Sequence, residues 1–544
     1  MRLASPKQMQ ALDRAAMEDF GIPGIVLMEN AGRAAADQME ACFGPVADRS
    51  VCIFIGPGNN GGDGLVIARH VLQRGGLPLL IFFVEPEQLT GDAAVNASIC
   101  LKLDMPRCVV RSGDELPQLE ERIRQLHFDR PMHSLVDALF GIGLSRPLEG
   151  RFAAAVQFIN RLRSQQGWSV VAADIPSGLC GQTGMPLGGA VEAALTVTFS
   201  LPQPGHYLHG GAAASSAAGA VGRLIVADIG IPPQAVEQAG LKGRLLDRRS
   251  VAPLLRPRPK AGHKGTFGHL LLLAGSEGKT GAALLAAQAA LRSGCGLVTL
   301  AVPKNLNPIF ATALPEAMTV PLPHSNNCLS AADWELIVEL AADKDAVVLG
   351  PGLGTAVETG ELTRRLHRRI SLPMLLDADA LNLLAQDVLT LADSGGPRIL
   401  TPHPGELARL TGLSPAEIQA DRLKAADWLA EAEIRDAREI ITVLKGAGTV
   451  VCSNKGGWAV NSSGNSGMAV GGMGDVLAGF IGGLLAQGWP LRDAAAAGVF
   501  LHGLAADLLA ENRRLGYTAS EVAAALPLAF MQLEHHARPR GARC

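Results

Sequence analysis

Apolar and polar positions along this chain repeat in a fixed order. A short continuous apolar run is followed by a glycine- or proline-rich turn, and then by a segment of helical period. Val51-Cys52-Ile53-Phe54-Ile55 is one such run, as expected of a strand buried on both faces of a parallel sheet. It leads into Gly56-Pro57-Gly58-Asn59-Asn60-Gly61-Gly62-Asp63-Gly64, after which a helix is predicted over 65–74. Upstream, Ser5-Pro6 predicts a helix start, with Met9, Leu12, Ala16 and Phe20 on one face. A second helix is predicted over 25–39. Strands at 79–84, 134–137 and 168–173 and a helix at 92–103 continue the alternation.

The pattern breaks over 232–264, where Pro232-Pro233 and Arg256-Pro257-Arg258-Pro259-Lys260 interrupt helix and strand alike. The basic residues here read as a solvated linker. Beyond it the order resumes, with strands predicted at 269–274, 298–302, 346–349, 374–376, 399–400 and 440–444 and a helix at 280–293. Their turns are Gly275-Ser276, Gly350-Pro351-Gly352-Leu353-Gly354, Asp377-Ala378-Asp379-Ala380, Thr401-Pro402-His403-Pro404-Gly405-Glu406 and Lys445-Gly446-Ala447-Gly448-Thr449. Two α/β domains are therefore expected, 1–238 and 239–544, and 544 residues are too many for one ordinary core.

Chemistry concentrates in these turns. Val470-Gly471-Gly472-Met473-Gly474-Asp475 opens an apolar helical run; its glycines allow several backbone N–H groups to converge on an anion, and the helix adds its positive end. Asp475 is placed to take a proton from an attacking hydroxyl. The alternative is a glycine-rich helix corner with Asp475 as a plain N-cap. In the first half, Asn59, Asn60, Asp63, Asp137, Asp174 and Ser177 follow the carboxyl ends of successive strands, the edge where open parallel sheets bind ligands.

Composition narrows the partners. Hydrophobic residues at 48% and charged ones at 18% exclude overall disorder. A net charge of −3 and 4% aromatics argue against nucleic acid. Nine cysteines without a CxxC pair suit reduced thiols in the cytoplasm. Apolar runs such as 77–84 are too short to cross a bilayer, so a soluble protein is expected.

Asn-Asn-Gly-Gly-Asp-Gly, Asp-Ala-Leu-Phe-Gly-Ile-Gly-Leu and Asp-Ile-Pro-Ser-Gly resemble the NAD(P)H-hydrate epimerase (YjeF N-terminal) family over roughly 8–232. The resemblance implies a Rossmann-like three-layer sandwich. Asn59, Asn60, Gly61, Gly62 and Asp63, with Gly141, Ile142, Gly143, Leu144, Ser145, Arg146 and Pro147, would line the hydrated dinucleotide. Asn60, Asp137 and Ser177 would hold potassium, and Asp174 would act on the substrate. Gln203 stands where many members carry lysine.

Residues 250–530 are similar to the ADP- or ATP-dependent NAD(P)H-hydrate dehydratases, which implies a ribokinase-like three-layer α/β/α domain. Met473 here replaces a serine or threonine common in that family. Asp475 would be the catalytic base. Ala282, Gly352 and His403 would contact the hydrate with it, while Lys445, Gly446, Ala447, Gly448, Thr449 and Gly474 would bind ADP with Mg²⁺.

Both resemblances together imply R/S epimerisation of hydrated NADH and NADPH, and ADP-driven dehydration of the S form. Small molecules are the expected partners, and a homo-oligomer is expected. A ribokinase-like small-molecule kinase fused to a dinucleotide-binding module is the alternative reading. A plain Rossmann dehydrogenase lacks its GxGxxG here.

Overall fold

A computed structural model describes residues 1–209, 219–431 and 438–537. The chain divides into compact units at Lys242/Gly243, inside the proline-rich stretch.

The first unit holds a seven-stranded sheet with every pair parallel. Across it lie Arg107–Val109, Leu77–Phe82, Ser50–Ile55, Met132–Ala138, Ser169–Ala173, Leu195–Phe199 and Arg223–Ala227. Alternate residues of the strand Ser50–Ile55 enter different cores. Val51, Ile53 and Ile55 pack on one face, and Cys52 and Phe54 on the other. That two-sided burial is why the run is continuously apolar. The chain winds outward from Ser50–Ile55 to one edge, then crosses back to Met132–Ala138 and winds to the other. The order therefore reverses between those two strands, which opens a crevice at their carboxyl ends.

The second unit repeats the plan. From Gly243–Leu246 its sheet runs through Trp458–Asn461, Val450–Ser453, Ile440–Leu444, Arg398–Leu400, Met374–Leu376, Ala346–Leu349, His269–Leu273, Leu297–Pro303 and Met318–Leu322. Val450–Ser453 is antiparallel to both neighbours, and the remaining pairs are parallel. Here the reversal falls between His269–Leu273 and Ala346–Leu349. Both units are the three-layer α/β sandwiches expected.

Some local expectations change. The helix predicted from Leu65 begins at Asn59, so the glycine turn is largely its first turns. The first helix, Pro6–Glu18, is capped by Ser5 and ends before Phe20, which is exposed. Arg256 and Arg258 are not simply solvated: they lie over the Trp489 and Phe267 rings at 5.7 and 3.7 Å. Leu491–Ala510 is long and apolar enough to cross a membrane, but it is 67% buried and packs in the core of its unit. The eight described cysteines are free, and Cys544 lies outside the described residues.

Candidate active sites

At the first reversal, the turns after Ser50–Ile55 and Met132–Ala138 meet the helix Pro6–Glu18 around a cavity of about 480 Å³. Gly56 is required by this approach, because a side-chain carbon there would lie 1.7 Å from the Leu139 carbonyl oxygen. The helix Asn59–Gln73 then points its N-terminal end at the cavity.

Asn59, Asn60, Asp63, Gly141, Ile142, Gly143, Leu144 and Asp174 all line the cavity. Gly61 and Gly62 serve packing instead: added side-chain carbons would meet the Gly56 carbonyl oxygen at 2.2 Å and Met28 Sδ at 2.6 Å. Ser145, Arg146 and Pro147 are exposed just beyond the lining.

Asp174 is held in a left-handed conformation with φ 65°, costly for a residue bearing a side chain. Its carboxylate accepts from Ile142 N at 3.3 Å and Thr198 Oγ1 at 3.1 Å. His206 pins its backbone. Nδ1 accepts from Gln203 N at 3.0 Å, so the neutral ring donates from Nε2 to the Asp174 carbonyl oxygen at 3.1 Å. Burial pushes the His206 pKa down to about 4, which keeps the ring in that form.

Asp137 and Ser177 come together below the cavity. Ser177 donates from N and Oγ to the two carboxylate oxygens of Asp137, at 2.7 and 2.6 Å. Burial raises the Asp137 pKa to about 6 against those bonds. Asn60 is buried with neither amide atom partnered, and Gln203, also in the lining, is buried beside Asp174. Sequence reasoning missed Asp13 in this lining. Its signal was position, four residues after buried Met9 on the inward face of the first helix.

At the second reversal, Gly352 has φ 61°, and a side-chain carbon there would sit 3.0 Å from Ala282 Cβ. Ser276 Oγ donates to the Gly352 carbonyl at 2.9 Å, locking the two turns. Gly472, with φ 89°, caps the helix Met473–Ala486 without a side-chain bond, so Asp475 is not its N-cap. Met473 turns into the core and leaves its backbone to the loop.

Lys445 unites this edge. Its ammonium lies 2.7 Å from Asp377 Oδ1 and 3.7 Å from Glu406 Oε2, and 3.3 Å from where a Gly474 side-chain carbon would be. Burial opposes its charge, but Asp377 and Glu406 outweigh this and raise its pKa. For Asp475, burial and then the Asp377 charge raise the pKa to about 6, with Lys445 opposing. A carboxylate so tuned is a competent base near neutral pH.

His403 caps the helix Pro404–Thr411, its Nδ1 accepting from Gly405 N at 2.9 Å, and its ring is half exposed at this edge. Thr449 Oγ1 closes the Lys445–Thr449 turn by donating to the Gly446 carbonyl at 2.8 Å. Two residues missed from sequence support the edge. Arg422, buried, donates to the Leu444 and Lys445 carbonyls at 3.0 and 3.1 Å. Lys279 pairs with Asp379 at 2.9 Å. Neither pairing is local in sequence, so no spacing announces it.

Comparison with known proteins follows the same division. The YjeF-related protein N-terminus family matches residues 24–205, and the NAD(P)H-hydrate dehydratase family matches 270–528. The bifunctional NAD(P)H-hydrate repair enzyme of Moorella thermoacetica is 41% identical over 537 residues, covering 98% of this chain and 97% of its own. The Escherichia coli enzyme of that name is 36% identical, covering 92% and 88%. The solved Bacillus subtilis ADP/ATP-dependent NAD(P)H-hydrate dehydratase, co-crystallised with ATP and Mg²⁺, is 32% identical with a TM-score of 0.47, covering 54% of this chain and 99% of that one. Matched over 98% and 92% of its length by the Moorella thermoacetica and Escherichia coli enzymes, the chain belongs to the family of bifunctional NAD(P)H-hydrate repair enzymes.

Proposed function

We propose that this protein repairs hydrated NADH and NADPH in the cytoplasm, its first unit interconverting the R and S forms and its second dehydrating the S form at the expense of ADP. One observation carries the reading: two separate strand-reversal edges each gather the residues of the expected motifs, Asn60, Asp63 and Asp174 at the first and Lys445, Gly474 and Asp475 at the second. In the second unit, Asp475 takes the proton of the C6 hydroxyl as its oxygen attacks the terminal phosphoryl group of ADP. Backbone N–H groups of Gly472 to Gly474 stabilise the charge gathering on the phosphoryl oxygens. The C6–O bond then breaks, a C5 proton leaves to solvent, and NAD(P)H, AMP and phosphate result.

Ala282, Gly352 and His403 hold the hydrate, and Lys445 to Thr449 with Gly474 hold the nucleotide. Asp377, Asp379, Glu406 and Asp475 outnumber Lys279 and Lys445 at this edge, which suits a nucleotide arriving with Mg²⁺ on its phosphates. In the first unit, Asn60, Asp137 and Ser177 would hold potassium. The partnerless Asn60 amide and the buried Asp137 carboxylate fit an oxygen-only site for a hard cation, whose charge would offset Asp137.

The test is incubation with mixed R and S hydrates of NADH and with ADP or ATP. Recovery of reduced nicotinamide absorbance from both forms, with release of inorganic phosphate, is expected. A stable phosphorylated product without recovered NADH would establish the kinase alternative.

A further inference from the structure

The first cavity has a one-sided charge composition. Asp13, Asp63, Asp92 and Asp174 line it, and among its described lining residues there is no lysine, arginine or histidine. Two further observations mark the space as built for a ligand. The Asn60 amide, 7% exposed, lines the cavity with neither atom hydrogen-bonded, and the Gln203 amide, 1% exposed, lies in the same lining beside Asp174.

Such a space favours a group that becomes positive during reaction. The hydrated nicotinamide ring has one route to positive charge. If the C6–O bond breaks, the N1 lone pair forms an N1=C6 iminium. Breaking N1–C6 instead, with the hydroxyl proton lost and a proton gained at N1, gives a neutral ring-opened aldehyde that leaves no positive charge for the surrounding carboxylates to stabilise.

Resting on the epimerase reading, we infer that epimerisation proceeds by loss of the C6 hydroxyl as water, with Asp13 and Asp63 as the acid pair and Asp174 facing the iminium. A carboxylic acid of the pair protonates the departing hydroxyl, and the C6–O electrons leave with the water. N1 supplies the pair that forms the iminium. Water then adds to the opposite face of C6, N1 recovers its lone pair, and the released proton returns to the carboxylate. No other reactant is consumed. Burial and the mutual repulsion of these groups keep protons on them at higher pH than usual: Asp13 rises to about 6, and Asp63 well above its ordinary range. Asp174 also rises by burial, while its bonds from Thr198, Ile142 and Gln203 favour its charged form. A potassium ion at Asp137 would be offset by that carboxylate and leave the cavity acidic.

The test uses the full chain without added nucleotide, so that dehydration is silent. Purified R hydrate of NADH is incubated in ¹⁸O-enriched water, and product S hydrate is analysed by mass spectrometry against an enzyme-free control. One ¹⁸O at C6 for every inversion is expected; inversion with the original oxygen retained would overturn the route while leaving epimerase activity established. Absence of inversion by the wild-type chain would instead remove the reading beneath it.

Asp13→Asn is expected to slow inversion at least 100-fold, with nucleotide-dependent dehydration of the S hydrate unchanged as proof of an intact chain. Asp13→Glu is expected to restore part of the rate. Inversion at the wild-type rate in Asp13→Asn would take Asp13 out of the mechanism. The isotope measurement needs no variant and stands if that substitution disturbs folding.

Discussion

The two edges of this protein solve one problem with opposite charge arrangements. Each lies where a parallel strand order reverses, each raises a carboxylate pKa to about 6, Asp13 in the first unit and Asp475 in the second, and each holds a residue in a strained backbone conformation. Asp174 has φ 65° in the first unit and Ala378 has φ 51° in the second. They differ in what balances the carboxylates. The first cavity is lined by acids alone, whereas the second edge interleaves Asp377, Asp379, Glu406 and Asp475 with Lys445 and Lys279. Strand order places a site, and the counter-charges decide its chemistry. An acid-only cavity suits a reaction through a cation, while a mixed edge suits handling phosphate and withdrawing a proton beside it.

The largest effect that separates the edges is expected from Asp475→Asn. Loss of the base should cut dehydration by about 10³-fold and leave R/S interconversion at its wild-type rate, measured by chromatography of the two hydrates. Dehydration at full rate would remove Asp475 from the mechanism.

Lys445→Met makes the second edge resemble the first by leaving Asp377, 1% exposed, and Glu406, 5% exposed, without their ammonium. Stranding buried carboxylates should destabilise the second unit by about 3 kcal/mol. Calorimetry should show its transition falling by roughly 6 °C while that of the first unit stays in place. An unmoved transition would mean that Lys445 balances nothing.

A third measurement sharpens the price of tuning. Asp475 is raised from 3.8 to about 6, so the folded state holds its proton more tightly than the unfolded chain. Its contribution therefore weakens stability as pH rises from about 4 to about 6, and the full cost is present above that range. Asn cannot ionise. Denaturant titrations should find Asp475→Asn equal to wild type near pH 4 and more stable by about 2–3 kcal/mol at pH 7.5. A gap that opened toward acid would contradict the shift.

The smallest effect concerns strain. Ala378 lies between Asp377 and Asp379 at φ 51°, ψ −118°, a region that glycine reaches far more easily. Ala378→Gly should raise stability by about 1 kcal/mol and lower dehydration a few-fold, as the two carboxylates lose their fixed spacing. Unchanged turnover would assign the strain to folding alone.

Much of this was legible in the residues. Continuous apolar runs such as Val51 to Ile55 announced two-sided burial, and the polar clusters after them announced the ligand edges, because both signals are local. Helix starts were less legible. The helix predicted from Leu65 begins at Asn59, since glycines at 61, 62 and 64 pack against Gly56, Met28 and Ala138, contacts invisible in a linear reading. Lys279 and Arg422 escaped for the same reason, whereas Asp13 carried a local signal in its helical spacing from Met9.

By itself, the sequence determined the layered α/β plan, the pair of glycine-rich turns and the carboxylates available at each. Those follow from burial periodicity and backbone freedom, which act within a few residues. Only the tertiary structure decided which charges meet. Lys445 reaches Asp377 across 68 residues, and His206 pins Asp174 across 32, so the potential at each edge arises from groups that only the completed sheets bring together. A carboxylate's proton affinity depends on its surroundings in space, and those do not exist until the chain has folded.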